Sequence, residues 1–231
     1  MERIQKYVSA CGLMSRRAAE KEIKNGAFTI NGKTAVIGQP VGRNDAVCYK
    51  GTPVLPQKKF TTVLLNKPAG YVTTLSDEKG RKTVAELIDL PERLYPAGRL
   101  DMDSEGMLIM TNDGELANRI THPSGEKKKV YHVWLRGSID GSALDSLRSM
   151  RTLDGEKINP VKAELIRRSP DGSRISVTLT EGKNRQIRRM CEQCGLTVMQ
   201  LRRVQIGSLR LGDLKPGEWR ILSNNEVKEL Y

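Results

Sequence analysis

Apolar residues recur along this chain with two different periods, and the changes of period mark out its elements. Ile4, Tyr7 and Val8 fall at helical spacing, so residues 3–10 read as a short helix ended by Cys11-Gly12. Ser15 is placed to cap a second helix over 16–25, stopped by Gly26. A strand over 27–30 runs into Asn31-Gly32, a dipeptide that favours a type I′ hairpin, with a return strand over 33–37 and another at 47–49. Beyond residue 60 the pattern predicts strands over 61–66, 107–110, 130–136, 161–168, 174–180, 198–202 and 207–211, with one beginning at 71–74. It predicts helices over 83–89, 115–121, 142–150 and 184–193, and a last one from Asn225 capped by Ser223. Glu126 to Lys129 reads as a basic loop. Strands and short helices alternate irregularly, which predicts an α+β fold with a mainly antiparallel mixed sheet and flanking helices.

Residues 50–60 carry two prolines and three lysines and read as a linker. The expected division is therefore a small α/β domain over 1–57 and a larger domain over 58–231, free to reorient. No internal repeat stands out. No apolar run approaches the roughly 20 residues a membrane span needs. The N-terminal stretch carries an acid and lacks the apolar core of a secretory signal. A cytoplasmic monomer without membrane contact is the expectation.

Charge changes the picture. The 231 residues hold 39 Lys and Arg against 27 Asp and Glu, a net charge of +12. Such a balance points to an acidic partner, nucleic acid first, over a merely basic surface. The first 59 residues hold eleven basic residues against four acidic ones. Arg16, Arg17, Lys21 and Lys24 lie along the second helix, several on one side, where phosphates would fit; Arg3 belongs to the same group. Cys191 and Cys194 form a single C-x-x-C at helical spacing with Ile187 and Met190, which predicts a buried face and no metal site.

No phosphate-binding glycine loop, no nucleophile elbow and no histidine cluster is present. What stands out is a loop with Arg99, Asp101, Asp103 and Glu105 just before the apolar run Met107 to Met110. As a calcium loop it fails on spacing, because Asn112 stands where the bidentate glutamate belongs. A magnesium-dependent nuclease stays open as one reading. Ordinary turn residues are the other, and the preferred one for Asp103 and Glu105. Tyr131 shares a strand face with Val133 and Leu135, which by spacing alone favours a core tyrosine. Arg188 sits on the shoulder of a helix's apolar face. It reads equally as an inward-pointing group or as one more phosphate contact among Lys183, Arg185, Arg189, Arg202 and Arg203.

Two resemblances go further. SRRAAEKEIKNGAFTINGK, followed by the strand DAVCY, resembles the S-four domain, a small unit that grips structured RNA by backbone and shape. GRLDMDSEGMLIMTNDGELANRITHP resembles the catalytic motif of RNA pseudouridine synthases of the RsuA/RluB branch, closer to its RluB-like members. NKPAGYVTTLSDEKGRKTV, KKVYHVWLRG and the stretch from EGKNRQIRRM to WRIL resemble that family's other motifs in order. The resemblance implies isomerisation of uridine to pseudouridine in ribosomal RNA, of the large subunit first, with the small subunit or transfer RNA as alternatives. It implies no cofactor, since no atom enters or leaves and no redox change occurs. It makes Asp101 the catalytic carboxylate, Tyr131 the platform beneath a flipped base, and Arg188 the basic partner of Asp101. A carboxylate that must act ionised in a closed pocket needs a cation at hand. RNA contacts are expected from Lys67, Arg99, Lys129, Lys183, Arg185 and Arg189. A non-catalytic RNA-binding or ribosome-assembly protein is the rival of another class.

Overall fold

The structure, a computed structural model, describes residues 1–57, 59–122 and 127–231. Lys58 of the expected linker and Glu126 of the expected basic loop lie outside the described residues. The chain divides into two compact units, one over 1–61 with 90–93 and 112–114, the other over 62–89, 94–111 and 115–231.

In the N-terminal unit helix α1 spans Ile4–Ala10 and α2 spans Arg16–Lys24. The Ser15 hydroxyl caps α2, accepting from the Ala18 amide at 3.1 Å. A four-stranded antiparallel sheet runs in the order Lys33–Thr34, Phe28–Ile30, Val47–Tyr49, Thr52–Pro53. Asn31 and Gly32 both take positive φ, 50° and 79°, as a type I′ turn demands. Ile4, Val8, Ala19, Ile23 and Phe28 close the core between helices and sheet. The return strand is shorter than the expected 33–37, because Val36 and Ile37 turn outward and stay exposed.

The second unit is built on one nine-stranded sheet. Its strands are β1 (Thr62–Lys67), β2 (Tyr95–Ala97), β3 (Glu105–Thr111), β4 (Lys129–Arg136), β5 (Lys162–Arg168), β6 (Gly172–Leu179), β7 (Val198–Ile206), β8 (Leu209–Arg210) and β9 (Trp219–Ile221). The order is β5-β6-β4-β7-β3-β1-β9, with β8 on β7 and β2 on β3. Helices α3 (Gly114–Thr121), α4 (Gly141–Ser149), α5 (Gln186–Gln193) and α6 (Asn224–Leu230) flank it. Every residue of β1 is buried, as is β3 after Glu105, so the middle of each strand, Val63–Leu65 and Met107–Met110, reads as a continuous apolar run rather than an alternating one. Strand β5, at the edge, keeps only Ala163 buried. The segment 71–74 forms no strand, only a bridge from Val72 to Thr83, and 83–89 tightens to the 3₁₀ turn Val84–Leu87.

Among the described residues all strand pairings in the sheet are antiparallel but one. Strand β7 runs parallel to β3 over two pairs, Arg202 with Glu105 and Arg203 with Gly106. Gly106 is what permits this approach. Its φ is +102°, and a Cβ there would sit 2.2 Å from the Arg203 carbonyl oxygen. Gly106→Ala should therefore destabilise this unit by roughly 2–6 kcal/mol, the sum of backbone strain and overpacking. The chain's two tryptophans, Trp134 and Trp219, both lie in this unit. Tryptophan fluorescence through a urea titration measures the loss directly, and an unchanged midpoint would show that the strands can separate without cost.

Candidate active site

The loop from Gly98 to Ser104 is tied down from beneath. Lys67, the last residue of β1, is fully buried, and its ammonium donates to the carbonyl oxygens of Pro68 (3.0 Å), Asp101 (3.0 Å), Met102 (3.4 Å) and Ser104 (2.7 Å). The Thr73 hydroxyl donates to the Leu100 carbonyl at 2.7 Å, and the Gly70 amide to that of Met102 at 2.7 Å. Burial pushes the Lys67 amine down to about 8; the nearby charges of Asp103, Asp101 and Glu105 oppose that shift and Arg203 reinforces it. The expectation that Lys67 touches RNA is thereby corrected. An ammonium with no exposed surface organises the loop instead, and composition alone cannot distinguish such a lysine from a surface one.

Above the loop stand two arginines of the segment that opens α5. Arg185, in left-handed backbone conformation at the N-cap, donates from both terminal nitrogens to the Asp103 carboxylate, each at 3.1 Å. The same residue is the ion-pair partner of Asp101, at 3.6 Å. Arg188 donates to the Asp103 carbonyl oxygen at 3.0 Å and pairs with its carboxylate at 3.4 Å. The expected pairing of Arg188 with Asp101 is thus corrected for this structure. Starting one position C-terminal to Arg185, α5 carries Arg188 onto Asp103, while Arg185 reaches Asp101. Burial works against the charge on Asp103, but the Arg185 hydrogen bonds and the charges of both arginines outweigh it, holding the carboxyl below its usual range. Asp103 is therefore more than a turn residue. Glu105 accepts from Gln200 at 2.8 Å.

Asp101 and Tyr131 line one cavity of about 670 Å³ in the second unit. Its walls include Ile187 of α5, Leu201 and Arg203 of β7, and the Arg99–Leu100 segment. The Asp101 side chain keeps 32 % of its surface exposed, whereas Tyr131 keeps only 7 %. The alternation that makes Tyr131 look like a core residue is real, yet the cavity opens against it. Arg203, 3 % exposed, places one terminal nitrogen 3.4 Å from the Tyr131 hydroxyl. Arg188 is not among the residues that line the cavity.

The remaining basic residues separate by their surroundings. Arg3, Arg16, Arg17, Lys21 and Lys24 are exposed and, among the described residues, stand in no ion pair. Arg99 is exposed at the cavity mouth, and Lys129 lines the cavity half-buried. Lys183 is held by Glu156 at 3.0 Å, and Arg189 by Asp154. Cys191 is buried, which pushes its thiol up to about 12, whereas Cys194 is half-buried. Reasoning from the chain alone missed the inward role of Arg203, whose strand alternation with Leu201 was the available signal. It also missed Ile187 and Leu201 as the apolar walls.

With this geometry in place, the comparisons are direct. Residues 61–193 match the RNA pseudouridylate synthase family, and residues 2–47 match the S4 domain. An uncharacterized RNA pseudouridine synthase of Aquifex aeolicus is 40 % identical, over 99 % of this chain and 93 % of its own length. The ribosomal large subunit pseudouridine synthase B of Bacillus subtilis is 39 % identical, over 100 % of this chain and 96 % of its own. A crystal structure of a pseudouridylate synthase, 28 % identical, superposes over the full length of both chains with a TM-score of 0.73.

The buried ammonium makes a signed prediction. Because its folded value of about 8 lies below the ordinary 10.5, the unfolded chain holds a proton between those pH values that the folded chain has released. Stability contributed by this group therefore rises with pH across that window. The stability of wild type minus that of Lys67→Met, from urea titrations read by tryptophan fluorescence, should grow between pH 8 and 10.5. A difference that stays flat would mean that Lys67 is not the desolvated group described here.

Proposed function

The chain belongs to the RNA pseudouridine synthase family, and from that premise we propose that it converts a uridine of large-subunit ribosomal RNA to pseudouridine, with Asp101 as the reacting carboxylate. The observation that carries this reading is the meeting of Asp101 and Tyr131 in one cavity, from stretches thirty residues apart in the chain. Large-subunit RNA is favoured by the Bacillus subtilis relative, a ribosomal large subunit pseudouridine synthase that matches over 100 % of this chain and 96 % of its own length. Residues 1–57 serve as the S4-type grip on RNA through Arg3, Arg16, Arg17, Lys21 and Lys24, and residues 58–231 carry the chemistry, in the cytoplasm, in a monomer.

Each residue has a physical task. A uridine inside a stacked helix hides its glycosidic bond, so the nucleotide must swing out into the cavity. Tyr131 forms the surface on which the pyrimidine ring rests, with Ile187 and Leu201 excluding water around it. Asp101, held by a loop with little freedom, meets the sugar at C1′ or its 2′ proton. Arg185 and Arg188, fastened to Asp103, keep positive charge over the loop. Arg99 at the mouth takes an RNA phosphate or fills the space the flipped base leaves.

Asp101→Asn should keep RNA affinity and form no pseudouridine. Mapping pseudouridines in ribosomal RNA from cells lacking the gene, complemented with wild type or the variant, tests this and identifies the subunit. Turnover near wild type in the variant would end the proposal. Asp103→Ala releases both arginines without touching Asp101. It should lower kcat by on the order of 10- to 100-fold through lost positioning while RNA affinity changes little. An unchanged kcat would return Asp103 to the status of a turn residue.

A further inference from the structure

Arg203 is a buried cation that the ionic pairs of the site leave over. Its Nε donates to the Met107 carbonyl at 2.8 Å, and one terminal nitrogen lies 3.4 Å from both the Arg99 carbonyl and the Tyr131 hydroxyl. The other terminal nitrogen is buried and has no hydrogen-bond partner. Among the described residues no carboxylate pairs with it, although Asp101, Asp103 and Glu105 all lie in the same region. Its charge is felt by its neighbours, since after burial it is the second cause that lowers the Lys129 amine. Leaving a guanidinium donor buried and unused is costly. Among the described residues Arg174, Arg188 and Arg202 also bury an unpartnered Nε, but of these four arginines only Arg203 lines the cavity, where charge would develop.

We propose that Arg203 is a further catalytic residue, whose free terminal nitrogen binds a carbonyl oxygen of the flipped uracil and stabilises the anion released when the glycosidic bond breaks. The inference rests on the proposed function. When C1′–N1 breaks, its electron pair goes to the ring, and the negative charge spreads over the two carbonyl oxygens. The pair returns to C1′ from C5, which then gives up its proton while N1 takes one from water. Position favours the base over a phosphate as the ligand. The guanidinium carbon lies over the Tyr131 ring, 6.0 Å from its centre, with one terminal nitrogen 3.4 Å from the hydroxyl, so a base resting on that tyrosine would come close to it. Arg99 and Arg185 stand exposed, where phosphates pass, whereas Arg203 lies inside against the Tyr131 ring.

The test compares wild type with Arg203→Gln and Arg203→Lys, each first shown to unfold in urea as wild type does. Three single-site RNAs are used, carrying uridine, 5-fluorouridine or an abasic residue at the position that wild type modifies. Single-turnover loss of the C1′–N1 bond in uridine RNA should fall by about 10²–10³-fold in Arg203→Gln, and less in Arg203→Lys, which keeps a charge. With 5-fluorouridine, whose ring anion is intrinsically more stable, the deficit should narrow. Affinity for the abasic RNA should not change. Equal deficits for the two bases would overturn the proposal in favour of a structural role, and weaker binding of the abasic RNA would overturn it in favour of a phosphate contact. Full activity of Arg203→Gln would overturn it outright. Failure of wild type to modify any ribosomal RNA would instead bring down the proposed function, and this inference with it.

Discussion

Two residue pairs hold the halves of the central sheet together. On one side lie β5, β6, β4 and β7, on the other β3, β1 and β9, and among the described residues the strand pairing between them is Arg202–Glu105 and Arg203–Gly106. Parallel pairing is the weaker kind per residue, and here it is brief. It depends on a glycine, because any side chain at 106 would collide with the backbone of Arg203. Beyond that pairing the strands are joined by side chains, Gln200 to Glu105 and Arg203 to the Met107 carbonyl, and the cavity opens beside that seam. Leu201 and Arg203 reach it from β7, Tyr131 from β4, and Asp101 from the loop that leads into β3. One close approach of two backbones therefore sets the relative placement of every group in the site.

The charges around the loop are arranged unequally. Lys67 is satisfied by carbonyl oxygens rather than carboxylates, so it fixes backbone without spending the acids. Asp103 draws both arginines to itself, with Arg185 in forked geometry, the strong form of such pairs. Asp101 is left with one longer contact to Arg185 and a third of its side chain open. Under the proposed function a carboxylate locked in a forked pair would have to break that pair before reacting. Asp103 takes the fork, and Asp101 keeps the longer contact alone.

Much of this was legible in the chain. The buried strands of the second unit, the caps at Ser15 and Ser223 and the turn at Asn31-Gly32 follow from local rules, because their causes lie within a few residues. Short strands such as Tyr95–Ala97 and Trp219–Ile221 escaped, since so few residues show no period and they exist only by pairing with β3 and β1. Charged groups were harder. Lys67, Arg185 and Arg203 look alike in a sequence, yet one is a buried peg, one an exposed clamp and one a buried cation without a counter-ion among the described residues. Burial decides between those roles, and burial here is set by contacts from stretches 34 to 104 residues away.

Those differences matter most for a reaction that moves a bond within one nucleotide. Nothing is added or removed, so the barrier lies in separating charge as the sugar and base part. Under the proposed function the cavity meets that demand with fixed groups. A carboxylate on a tied loop would face the electron-poor sugar, and a guanidinium with an unused donor would lie close to the electron-rich base, over the tyrosine that carries it. Water would answer the same charges by reorienting, at a cost in every turnover. Here the cost has been met in folding, in the desolvation of Lys67 and Arg203 and in the tight approach at Gly106. That is why a two-pair parallel seam and a buried cation with no ion pair among the described residues coincide with the cavity.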